Sequence, residues 1–190
     1  MSPTVRLRIL TCCFLVGIIP SALAADTSSI VSHVRTIEPQ LSGVLRNAVL
    51  QSPVFRELVT RLTESDVIVY VKTGRHLPTG LEGHLRFVGC GGGRRYVVVT
   101  VAWGRPEARA MATLGHELQH ALEIAERPEI IDSATLARAF AEFGQQSTHG
   151  RNGLAFETAA AIEAGQRIWS EVRQGVGRMA DRQFERERRP

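Results

Sequence analysis

Apolar residues recur at three- and four-residue spacing between Ser28 and about Ser65, through Ile30, Val34, Ile37, Leu41, Val44 and Leu45. That period predicts helix, with a break at Pro39. Ser52-Pro53 opens a second helical segment, Ser52 as N-cap and Pro53 at the first helical position, with Phe55, Leu58, Val59 and Leu62 as its apolar stripe. The period then shortens. Asp66–Lys72 is rich in β-branched residues and reads as a strand buried on both faces. After a glycine- and proline-marked loop from Gly74 to Gly83, two more β segments follow, His84–Val88 and Tyr96–Trp103. The glycine-rich stretch Gly89–Gly93 joins them, and residues that tolerate positive φ make a hairpin the natural connection.

The helical period returns at Pro106, which is placed at a first helical position, with Glu107 beside the positive end of the helix dipole. Met111, Leu114, Leu118, Ala121, Leu122 and Ala125 form its core-facing stripe, and Pro128 requires the helix to stop near Arg127. Asp132 or Ser133 caps a further helix carrying Leu136, Phe140 and Phe143 and ending at Gly144. Gln145–Gly153 is a polar loop, and Leu154 to about Val172 a long helix. The mixed charges of residues 178–190 predict an exposed, disordered tail. The expected fold is α+β: a small three-stranded, mainly antiparallel sheet packed on a central helix, with helices before and after it, in one domain over residues 25–177.

Composition adds an address. Arg6 and Arg8, the apolar run Ile9–Ile19 and Ala22-Leu23-Ala24 have the form of a signal peptide over residues 1–24, cleaved after Ala24. The expectation is therefore a secreted or periplasmic protein with no membrane attachment after cleavage, since no later run approaches the ~20 apolar residues of a span. Cys12 and Cys13 leave with the signal, and the single remaining Cys90 excludes an intramolecular disulfide. The formal charge is +4, and two of those charges, Arg6 and Arg8, also leave. So small an excess, spread along the chain, gives no reason to expect nucleic acid as a partner.

The candidate chemistry lies in the central helix, at His116-Glu117-Leu118-Gln119-His120. Residues four apart share a helix face, so both imidazoles can meet one zinc ion at about 2.0–2.1 Å. Glu117 can then reach a water in the open position as general base. Zinc lowers the pKa of such a water to roughly 7. A solvated helix face with two histidines is the plain alternative. A catalytic zinc site takes three protein ligands, so a third is needed. Extension to a further His after Gly fails, because Glu123 and Glu126 occupy those positions. Glu157 is the leading candidate, followed by small residues that suit a close helix–helix approach to Gly115. His149 is another candidate, either as ligand or as the group that stabilises the oxyanion, and Glu163 and Glu126 remain open.

At these residues the chain resembles the gluzincin metallopeptidases, in which a strand precedes a His-Glu-x-x-His helix and a glutamate ligand stands on a following helix. One branch writes that glutamate as Glu-x-x-Ala-Asp; here Glu157-Thr158-Ala159-Ala160 matches and Ala161 replaces the Asp. The resemblance spans Tyr96–Gly165. It implies a zincin-like fold, zinc held by His116, His120 and Glu157, and Glu117 as the base. It also implies a peptide or protein substrate lying along the strand Tyr96–Ala102. Glu123 is the candidate to replace the missing Asp as acceptor for a histidine's second nitrogen. The expected function is an exported zinc metallopeptidase. The alternatives are a zincin-like protein that binds zinc or peptide without hydrolysis, and a structural domain with no metal. Cys90, beside the expected cleft strand, is a candidate to cap the metal's open position and hold the enzyme latent.

Overall fold

The computed structural model describes residues 32–77, 80–146 and 156–187. The expected signal peptide and His149 lie outside the described residues. In chain order the elements are β1 (Val34–Arg35), α1 (Pro39–Gln51), α2 (Pro53–Thr63), β2 (Val67–Gly74), β3 (Gly83–Gly91), β4 (Arg94–Ala102), α3 (Glu107–Ala125), α4 (Ser133–Phe143), β5 (Gln145–Gln146), β6 (Phe156–Glu157) and α5 (Ala159–Glu187).

The α+β class holds, but the sheet is four-stranded and mixed, in the order β1-β2-β4-β3. It is not the three-stranded, mainly antiparallel sheet that the pattern suggests. β1 and β4 both run parallel to β2, and β3 runs antiparallel to β4. β1 falls inside the stretch with helical period: Val34 pairs with Val69, and a partner that distant leaves no local signal. The hairpin turn is shorter than the glycine run, since Gly89, Cys90 and Gly91 belong to β3 and only Gly92 and Gly93 turn, with φ of 57° and 71°. Positive φ at both central positions gives the turn whose twist matches its strands.

One face of this sheet is buried. Val67, Val69 and Val71 of β2 and Val97, Val99 and Val101 of β4 join the same apolar cluster as Leu114 and Leu118 of α3. β2 is buried on both sides over Val67–Val69, and alternates from there on, with Tyr70 and Lys72 exposed. The caps follow the sequence signals. Ser52 accepts a hydrogen bond from the Phe55 N–H at 3.0 Å. Asp132 and Thr135 close a capping box ahead of α4.

The far end of α3 is fixed by a buried cation. Arg95, facing the core from β4, donates to the carbonyls of Ile124, Ala125, Arg127 and Ile130. It grips Asp66 with two further bonds, at 2.7 and 2.8 Å. A guanidinium at a helix C-terminus satisfies carbonyls that have no partner within the helix. α5 then crosses α3 at glycines. A Cβ on Gly115 would lie 2.0 Å from Ile168 Cδ1, and one on Gly165 would lie 3.3 Å from the Ala112 carbonyl oxygen. α5 also continues to Glu187, through most of the segment read from sequence as a disordered tail.

Candidate metal centre

His116 and His120 stand one turn apart on α3, their ring centroids 4.9 Å apart and nearly perpendicular. Glu157 comes to them from β6 and not from a helix. α5 starts two residues later, with Thr158 capping it by accepting from the Ala161 N–H. β6 pairs with β5, Gln145 opposite Glu157. The backbone that presents Glu157 is therefore held by a strand pair that the sequence suggested only as loop and helix.

Glu157 Oε2 lies 2.9 Å from His116 Nε2 and 4.0 Å from His120 Nε2. One ligand atom from each of the three residues falls within 4.8 Å of the others. The two separations straddle the ~3.3 Å edge of a tetrahedron with bonds of about 2.05 Å, and two imidazoles with a carboxylate are a zinc donor set. These residues fit a metal ion.

Their other nitrogens are also held. His120 Nδ1 faces Glu123 Oε2 at 2.9 Å, and the Thr158 hydroxyl donates to Glu123 Oε1 at 2.6 Å. Glu123 is thus the acceptor that Ala161 cannot be, and Ala161 is itself fully buried. Burial alone would lower the His116 pKa. The Glu157 hydrogen bond, the charges of Glu117 and Glu157 and a bond to the Ala161 backbone outweigh it, so the net shift is upward.

Glu117 is buried beside this group. Its carboxyl is raised to about 7, as burial and then the charge of Glu157 outweigh the downward pull of His120 and His116. A Cβ on Gly83 would come 2.8 Å from Glu117 Oε1 and 2.7 Å from Thr113 Cγ2, so only glycine lets β3 pass this close. Glu117, His116 and Glu157 open into a cleft of about 460 Å³ whose far wall includes Arg109, Gln166 and Trp169. Arg109 is ion-paired with Glu82, and its guanidinium lies 5.8 Å from the Trp169 ring centroid.

No family model matches the chain, and no curated protein or solved structure matches it either. The site must be read from its own geometry.

That geometry corrects three expectations. The strand Tyr96–Ala102 cannot border the cleft with a free edge, because β4 has β2 on one side and β3 on the other. β3 is the edge strand, and it meets the site at Gly83. Cys90 is seven residues along β3 from Gly83, roughly 23 Å at the rise of a strand, and its thiol donates to the Ile131 carbonyl at 3.3 Å. It cannot cap the metal. Glu126 pairs with Arg61 at 2.5 Å and Glu163 lies 3.8 Å from Arg167, and neither belongs to the group of His116, His120 and Glu157 whose ligand atoms converge. Sequence reasoning passed over Glu82, Gly83, Arg109 and Thr158. Arg109 had a signal, since Arg109, Thr113 and His116 follow helical spacing on one face.

Proposed function

We propose that this chain is an exported zinc-dependent peptidase. The observation that carries the reading is the convergence of His116, His120 and Glu157 within 4.8 Å, at a cleft that also holds Glu117. Zinc held by His116, His120 and Glu157 would supply Lewis acidity toward a carbonyl oxygen and a water near neutral pH. Glu117 accepts the proton of that water and returns it to the leaving amine nitrogen. Glu123 and the Ala161 backbone orient the two imidazoles, and the wall of the cleft around Trp169 receives a substrate side chain. The outer edge of β3, which has no strand partner among the described residues, offers an extended peptide a backbone to pair with.

The second reading is a protein that binds zinc or peptide without turnover. It is favoured by one observation: among the described residues lining the cleft, Arg109 is the single cation, and it is engaged by Glu82. One substitution separates the two. Glu117→Gln is expected to leave zinc content unchanged and to lower peptide hydrolysis by about 10²–10⁴-fold. A peptide-library digest with wild type, variant and chelator reads it. Equal turnover by wild type and variant removes Glu117 from the mechanism, and no turnover by zinc-loaded wild type leaves the binding protein.

A further inference from the structure

The helices pack on one face of the sheet; on the other, Ile68 and Thr100 are buried among their neighbours, Tyr96 and Val98 are half-buried, and Tyr70 is exposed. Paired residues in neighbouring strands point to the same face, so the register fixes what this second face carries. One row runs Arg35, Tyr70, Val98, Arg86; the next holds Ile68, Tyr96 and Gly89; a third holds Lys72, Thr100 and His84. Arg94 stands opposite Gly91. Arg35, Lys72, Arg86 and Arg94 are all exposed, and no strand position on this face is a carboxylate. None of the four has a carboxylate partner among the described residues, whereas Arg61, Arg95 and Arg109 do. Asp66, just before β2, lies within electrostatic reach of Arg94 but is gripped by Arg95. The face therefore carries four exposed cations and no carboxylate. His84 senses them: its pKa lies below the usual value, first through burial and then through Lys72 and Arg86.

Inside this ring of cations the two central strands each present a tyrosine. The rings of Tyr70 and Tyr96 lie 6.4 Å apart at 22° to one another. Gly89 and Gly91, beside Tyr96, place no side chain over it. A sheet whose central strands show adjacent aromatic rings and whose margin supplies Arg and Lys combines stacking surfaces with phosphate contacts.

We propose that this face binds single-stranded nucleic acid, with bases stacked on Tyr70 and Tyr96 and phosphates met by Arg35, Lys72, Arg86 and Arg94. An anionic bilayer is the lesser fit, because the centre of the face holds tyrosines and a half-buried Val98 where a membrane surface would need exposed aliphatic side chains. The site lies on the side of the sheet away from α3, and the inference is independent of peptide hydrolysis.

The test is fluorescence anisotropy of a labelled oligothymidylate of roughly 12 nucleotides with the full-length protein, metal-loaded and stripped. Binding is expected in both states, with log Kd rising against log salt at about 0.7 per phosphate contact, up to about 3 for four contacts. Tyr70→Ala and Tyr96→Ala are each expected to weaken binding by about five- to a hundredfold, while Tyr70→Phe and Tyr96→Phe, which keep the ring, stay near wild type. Lys72→Gln and Arg86→Gln should each reduce the salt slope by about 0.7. Circular dichroism and zinc content of each variant report folding. No binding at low salt overturns the proposal. So does binding that the alanine variants retain in full, or phosphatidylglycerol vesicles that bind more tightly than the oligonucleotide. Binding retained by the alanine variants would leave a general anion surface, and tighter vesicle binding a lipid surface.

Discussion

Glu123 is a buried carboxylate with two partners, and each belongs to a different half of the candidate metal centre. One oxygen holds His120 on α3; the other holds Thr158, the residue after Glu157 and the cap of α5. A single side chain thus sets the ring orientation of one ligand and the position of the segment that delivers another. Acceptors of this kind fix the tautomer and raise the basicity of a ligating imidazole, and losing one costs about 10–100-fold in metal affinity. Glu123→Ala is expected to lose zinc affinity by that factor or somewhat more, because it also releases Thr158. Glu123→Gln keeps an acceptor oxygen and should fall between the two. Competition against a chromophoric chelator measures both. Affinity unchanged in Glu123→Ala would show that His120 is positioned without it. His116, Glu117, His120 and Glu123 were all legible in sequence, because a helix converts spacings of one, three and four residues directly into shared space. Gly83 was not: its contact with Glu117 spans 34 positions and is made by a residue with no side chain to notice.

At the scale of elements, α3 is held at two places by different means. Its middle crosses α5 at Gly115 and Gly165, and its C-terminus is tied through Arg95 to β4 and to Asp66, the residue before β2. The tie depends on pH in a defined direction. The hydrogen bonds from Arg95, assisted by its charge, hold the Asp66 carboxyl below its ordinary pKa of 3.8, against the opposing effect of burial. A depressed carboxyl contributes stability that is complete above the unfolded-state pKa and fades as pH falls through the folded-state value. Asp66→Asn should therefore lower stability at pH 7 and flatten the loss of stability between about pH 5 and pH 2. Its side chain is 43% exposed, so solvent screening keeps the effect modest. Urea titrations of both proteins across that range check the slope; parallel pH profiles would mean the carboxyl is not depressed. Caps and breaks at Ser52, Pro53, Asp132 and Gly144 could be read in advance because they are local. The β1–β2 and β2–β4 parallel pairings could not, since their partners are 35 and 28 residues apart. The same blindness placed Glu157 on a helix when the β5–β6 pair presents it.

Across the whole molecule, the three ligand residues join segments that the chain keeps far apart. Two are on α3 and one precedes α5, and 36 residues separate His120 from Glu157. An ion bound by all three would act as a staple between the sheet-packed helix and the last helix. Binding to the folded state alone stabilises it by RT ln(1 + [L]/Kd), about 2.7 kcal/mol at a hundredfold excess over Kd. For a domain of this size each kcal/mol moves Tm by roughly 2–4 °C, so saturating zinc should raise Tm by about 5–10 °C over chelator-treated protein. The increment should be nearly lost in Glu157→Gln, because that variant breaks the link between segments while leaving both histidines on α3. Its melting in chelator should stay close to that of stripped wild type, which distinguishes loss of the staple from general damage to the fold. Coincident Tm values for zinc-loaded and stripped wild type would mean that the convergence of His116, His120 and Glu157 is a polar contact between α3 and β6 and no metal centre at all.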